Sequence, residues 1–128
     1  MIYAAEAGAH GRDPGFCLIP STDTATTVFV ADDLDAAWAE LGPHLLHDVR
    51  SYAAINQGNT HTASISTATS IEELRAEDRT HRIVTIDEAV SMMKAGTPLP
   101  LHPLVGGLPP EIAWRYLHTV TDEVMHRL

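Results

Sequence analysis

The chain reads as a helix-rich α/β protein built from βα units of the (β/α)8 barrel type, holding only the C-terminal units of such a barrel. Three observations lead there. First, Leu99-Pro100-Leu101-His102-Pro103-Leu104-Val105 is a short apolar run that meets Gly106-Gly107, then Pro109-Pro110, then a long amphipathic pattern. Glycine permits a tight turn and proline suits a first helical turn, so the segment predicts strand, turn and helix, the junction that forms the active rim of a barrel. Second, a similar strand-to-helix junction occurs earlier, at Thr26–Val30. Third, the chain has 128 residues, whereas a complete barrel needs about 250, with roughly 200 as a floor. One domain, 1–128, is expected.

The elements follow in order. Residues from Met1 to His10 resemble the closing turns of an amphipathic helix stopped near Gly11, with Pro14 and Gly15 in the following loop. A domain seldom starts so, and the expectation is a reading frame that enters a longer ancestral protein partway through. Thr26-Thr27-Val28-Phe29-Val30 is β-branched and aromatic, hence a strand. Asp32 or Asp33 can cap the next helix, and Asp35 lies near its positive end. Leu34, Ala37, Trp38, Leu41, Leu45, Val49, Tyr52 and Ala53 then form one apolar stripe. Gly42-Pro43 is expected to break or kink that helix, with Pro43 as a possible start of a second.

From Asn56 to Thr69 the chain is polar and without a burying period, which predicts a long loop. Ser70 with Glu73, and Thr85 with Glu88, have capping-box spacing and mark two helices. Arg82-Ile83-Val84 reads as a short strand before the second, which Gly96 terminates. In the last helix Ala113, Leu117, Val120, Val124 and Leu128 form the apolar stripe, with Glu111, Arg115, His118 and Asp122 on the solvent side.

Composition bounds the function. The chain is 45% hydrophobic and 20% charged, ordinary for a folded domain. Seventeen acidic against eight basic residues give a net charge of -9. That sign disfavours nucleic acid and anionic membrane as partners. No signal-peptide pattern or apolar run of the ~18 residues that span a bilayer is seen, so a cytoplasmic protein is expected. Cys17 is the lone cysteine, which excludes an internal disulfide and is expected as a small buried apolar residue.

The chemistry-bearing candidates are few. His102 would end its strand at the rim where barrel enzymes place reacting side chains, and imidazole suits proton transfer. Gly106 and Gly107 could offer backbone N–H groups to an anion such as a carboxylate, or simply allow a sharp turn. These three are the candidate substrate-binding residues; no catalytic residue is assigned. His44, His47 and Asp48 cluster by spacing, as do His118, Asp122 and His126, but neither set supplies the three or four ligands of a zinc site, and no metal is expected.

Four blocks carry a resemblance. They are Val28-Phe29-Val30-Ala31-Asp32-Asp33-Leu34-Asp35-Ala36-Ala37-Trp38; Thr85-Ile86-Asp87-Glu88-Ala89-Val90; His102-Pro103-Leu104-Val105-Gly106-Gly107-Leu108-Pro109-Pro110-Glu111; and Glu123-Val124 with Arg127-Leu128. In this order they resemble the C-terminal portion of luciferase-like, flavin-dependent monooxygenases and oxidoreductases. The resemblance implies a (β/α)8 barrel with reduced flavin mononucleotide (FMN) or deazaflavin at the strand mouth. It implies an oxidoreductase or monooxygenase acting on paired donors, electrons passing to an organic substrate or dioxygen. The chain would supply the last third of that barrel, with the 56–69 loop near its mouth. Most flavin contacts in the family come from earlier strands, so the segment is implied to be incomplete for catalysis alone, with His102, Gly106 and Gly107 on the substrate side.

A second reading is a non-catalytic module that uses its open sheet for oligomerisation or partner binding. Unpaired strand edges favour a homo-oligomer, or pairing with a chain that supplies the missing strands, under either reading. A third is a truncated frame whose product folds marginally.

Overall fold

A computed structural model describes residues 2–17, 19–57, 62, 63 and 65–128. The elements are helix α1 (Ile2–Ala9), strand β1 (Thr27–Val30), helix α2 (Leu34–Ile55), helix α3 (Ile71–Glu77), strand β2 (His81–Val84), helix α4 (Ile86–Lys94) and helix α5 (Pro110–Thr119). A 3-10 turn at Val105–Gly107 precedes α5, and the chain ends in a π-turn (Val120–Val124) and a further 3-10 turn (Met125–Arg127).

Local chemistry explains most helix starts. The Asp33 carboxylate accepts from the Ala36 N–H at 3.0 Å, Ser70 Oγ from Glu73 N–H at 3.2 Å, and Thr85 Oγ1 from Glu88 N–H at 3.2 Å. Gly96, at φ +80°, closes α4. Gly42-Pro43 does not break α2, which runs unbroken for 22 residues with Pro43 inside. Burial outweighs the lost hydrogen bond here, since Leu41, Gly42 and Leu45 on either side are all buried. A Cβ on Gly42 would meet Ile71 Cγ2 at 2.7 Å, so the glycine lets α3 approach α2 closely.

The strands pair in parallel, Thr27 with His81 through Val30 with Val84. The result is a small helix-rich α/β domain with a short, open, two-stranded sheet, and not a closed barrel. Both faces of the sheet are covered, which is why Thr27–Val30 carries no exposed residue. Phe29, Ala31 and Ile83 face one cluster with Trp38, Leu41, Leu45 and Tyr116. Val28, Val30 and Val84 face another with Ile86, Ala89, Val90, Val120 and Val124.

Several expectations are corrected. Leu99–Val105 is not a strand: Leu99–His102 has no regular structure, Pro103 and Leu104 form a turn, and Val105 enters the 3-10 turn. Pro98, Pro100 and Pro103 lack backbone N–H groups and cannot sustain a ladder. Even so, the segment lies on the sheet, where Pro100 C=O accepts from Val28 N–H at 2.9 Å. The Thr27 and Ala31 amides donate to Thr80 and Val84 across the β1–β2 pair, so Val28 N–H points to the opposite edge. Residues 99–102 therefore flank β1, whereas consecutive strands of a barrel would put them beyond β2.

In the last helix the buried residues are Ala113, Tyr116, Val120 and Val124, with Tyr116 more buried than its neighbour Leu117, while Leu128, just past the closing 3-10 turn, is exposed. Helix α1 ends at Ala9, near Gly11 as expected, but buries none of its residues. Cys17 is exposed, because no core lies beneath that stretch. The predicted 56–69 loop falls partly outside the described residues, at 58–61 and 64; of the remainder, Ala63, Ile65 and Ser66 are buried.

Candidate functional site

Concavities adjoin the sheet at each end of the strands, and a small apolar one lies along β1, where Leu101, His102 and Pro103 face Val28–Val30 and the Tyr116, Leu117 and Val120 side chains. At the carboxyl end of β1, a cleft of about 400 Å³ opens between the start of α2 and the outer face of α5. Open α/β sheets place ligands at this end, because strand ends and helix starts leave backbone groups and loops free to converge there. Asp32 and Asp33 form one side of the cleft, Glu40 its floor, and Arg115 and Tyr116 the other side.

Glu40 organises the cleft. The Arg115 guanidinium grips its carboxylate with both Nη atoms, at 3.0 and 2.8 Å, and the Tyr116 hydroxyl donates to Oε2 at 2.7 Å. The Arg115 and Tyr116 hydrogen bonds hold the Glu40 carboxyl below its usual range, against a smaller opposing effect of burial. Burial and the adjacent Glu40 carboxylate push the Tyr116 phenol above the ordinary tyrosine range. Its ring packs edge-on to Phe29, centroids 5.7 Å apart, so the polar cluster stands directly on the apolar core.

At the amino end of the strands, a cavity of about 100 Å³ is lined by Thr26, Thr27, Asp48, Tyr52, His81 and His102. His81 is 2% exposed and bonded at both nitrogens, Nε2 to Asp48 Oδ2 at 2.9 Å and Nδ1 to Thr80 Oγ1 at 3.0 Å. With Asp48 ionised, Nε2 carries the hydrogen and Nδ1 accepts from the threonine hydroxyl. Burial pulls the His81 imidazole below the usual histidine range more strongly than Asp48 raises it.

The expected site residues do not converge on one cleft. His102 lies at the amino end, beside His81, and not at the carboxyl-end rim, because the strand expected to carry it there does not form. Gly106, at φ +57°, lies against α2, where a Cβ would stand 1.9 Å from the His44 carbonyl oxygen. Its own carbonyl accepts from His44 Nδ1 at 3.1 Å, so Gly106 packs the turn onto a helix. Gly107, at φ +73°, is exposed with open space around it.

The His44, His47 and Asp48 group divides the same way. His44 serves Gly106, Asp48 serves His81, and His47 is exposed. Among the described residues, no group of three or more His, Cys, Asp or Glu side chains is placed to hold a metal ion. No helix among them is long and apolar enough to cross a membrane.

Sequence reasoning missed Glu40, Tyr116 and His81. Each depends on a partner 33 to 76 positions away, and no local spacing signals such a pair. Comparison of the chain with protein-family models, with curated proteins and with solved structures returned no match.

Proposed function

We propose that this chain is the C-terminal portion of a luciferase-like, flavin-dependent oxidoreductase or monooxygenase, forming a substrate-side wall and completed by strands from another chain. The observation that carries this reading is the alignment of two βα junctions. β1 runs through Ala31 to the Asp33 cap of α2, and β2 runs through Val84 to the Thr85 cap of α4. The strands are parallel, so both helix starts share one rim, and the 400 Å³ cleft opens beside the first of them. The four sequence blocks resembling that family overlie both junctions and the last helix.

The described residues that line this cleft do not by themselves fit a flavin phosphate. Arg115 is the one cation among the residues lining the cleft, and both its Nη atoms are engaged by Glu40, beside the acidic Asp32 and Asp33. A phosphate there would meet net negative charge. FMN or deazaflavin contacts would therefore come from the completing chain, while this one shapes the space for a neutral or cationic organic substrate.

The test is co-expression with a chain encoding the first two thirds of a luciferase-like barrel. The expected result is a copurifying complex that quenches FMN or deazaflavin fluorescence saturably at micromolar concentration. A chain that unfolds cooperatively yet neither associates nor confers flavin binding would refute the reading. One feature favours the alternative of a self-associating module: the outer edge of β2 pairs with no strand among the described residues. A stable homo-oligomer that ignores the completing chain would support that alternative.

A further inference from the structure

Residues 97–104 cross the outer edge of β1, held mainly by side-chain packing on β1 and the last helix. Three prolines remove backbone donors, and the one backbone bond to the sheet among the described residues is Val28 N–H to Pro100 C=O. Leu99 packs on the apolar cluster beneath Val28 and Val30, whereas Leu101 and Leu104 are 40% and 57% exposed. Both ends of the segment are fixed. Thr97 N–H bonds to Met92 C=O at 2.9 Å at the close of α4, and Val105 is buried against α2.

We propose that residues 97–104 form a strap that covers the outer edge of β1 at neutral pH and lifts when His81 and His102 are both protonated. The two imidazoles reach the same small cavity from different elements, His81 from β2 and His102 from the strap. The groups facing them are Asp48 and Tyr52 from α2, Glu77 from the end of α3, Tyr116 from α5 on the other side of His102, and the neutral Thr26 and Thr27 from β1. Glu77 is itself bonded to Arg79 at 3.1 Å, so Asp48 is the carboxylate in direct contact.

One carboxylate can balance one imidazolium. A second proton leaves the cavity with excess positive charge, and the two rings then repel each other across it. His81 has a further difficulty on protonation. Its Nδ1 becomes a donor, so Thr80 Oγ1 must turn from donor to acceptor, and Thr80 is fully buried. The Thr80 carbonyl is already taken by Thr26 N–H, Thr27 N–H and the Thr26 hydroxyl. Relief by moving β1, β2 or α2 would break the core, whereas relief by moving the strap costs one backbone bond, the Leu99 contact and the cover that Leu101, His102 and Pro103 give to Val28–Val30 and the last helix. The strap is thus the element that yields, and what it uncovers is a strand edge.

Amide hydrogen exchange by NMR between pH 7.5 and 5 tests this, reading protection factors so that the intrinsic pH dependence of exchange is removed. The expected result is a fall of about tenfold or more in Val28 protection on acidification, while Ala31, bonded to Val84 C=O inside the sheet, keeps its protection. In His102→Gln, an exposed position whose change leaves the core intact, Val28 stays protected across the range. Loss of Val28 and Ala31 protection at the same pH would show that the whole fold opens and would overturn the proposal. So would Val28 protection that does not change with pH, or a His102→Gln chain that releases Val28 as the unaltered chain does.

Discussion

Gly106→Ala separates two uses of glycine that a sequence cannot tell apart. At φ +57° an alanine costs about 1 kcal/mol for the left-handed backbone alone. The added Cβ would also stand 1.9 Å from the His44 carbonyl oxygen and 2.7 Å from its carbon, both backbone atoms within α2. The turn must withdraw by more than about 1 Å to restore contact distances. Withdrawal breaks the His44 Nδ1 bond to Gly106 C=O, about another 1 kcal/mol. It also loosens Val105 and Leu108, which flank the turn at 1% and 2% exposure, for about 2 kcal/mol. The expected loss is about 4 kcal/mol, a large share of the 5–15 kcal/mol that holds a typical domain together. Gly107→Ala is the control, since its φ is +73° but its Cβ would meet nothing within 4 Å, so about 1 kcal/mol is expected. Urea unfolding followed by far-UV circular dichroism reads both values. Equal costs for the two variants would refute the close approach of the turn to α2.

Three further expectations follow from the same geometry. Tyr116→Phe removes the donor to Glu40 while keeping the ring on Phe29, and should cost about 1–2 kcal/mol in urea unfolding, with the edge-on packing retained. Leu45→Ala, at a position with no exposed surface, should cost about 2–5 kcal/mol by the same assay. The third concerns pH. Because His81 is held below the ordinary histidine range, the unfolded chain takes up a proton that the folded chain refuses, so stability is full above pH ~6.5 and falls on acidification. This group contributes at most about 1.4 kcal/mol per pH unit, and His81→Gln should flatten the slope of stability against pH in that window.

What the sequence disclosed was local. The caps at Asp33, Ser70 and Thr85 could be read because donor and acceptor are three residues apart. The stop at Gly96 and the β-branched run of β1 needed no distant partner either. In the Ser70 box, Glu73 also accepts from the Thr69 N–H and hydroxyl, both at 2.8 Å, a choice of neighbour that spacing leaves undetermined. Leu99–Val105 misled for a definite reason: apolar content suggests a strand, but Pro98 just before it and Pro100 and Pro103 within it decide against a ladder. Tyr116 stands at i+3 from Ala113 on the face that α5 buries, and a stripe drawn through its neighbour Leu117 passes it by. The candidate site was least legible, since Glu40 meets Arg115 and Tyr116, and Asp48 meets His81, only after the chain has folded.

The parallel register has a kinetic consequence. Thr27 pairs with His81 and Val30 with Val84, so every rung of the sheet joins residues 54 positions apart. Among the described residues no shorter hairpin lies between them to seed the pairing, and closing such a loop costs about 3–4 kcal/mol of chain entropy before the first rung is rewarded. That loop contains α2 and α3, whose helices shorten the span and bury Gly42 against Ile71. Changes that strengthen the α2–α3 contact should therefore speed folding, while changes on the outward faces of α4 and α5 should act mainly on unfolding. The helix pair between the strands acts as the splint on which the sheet is assembled.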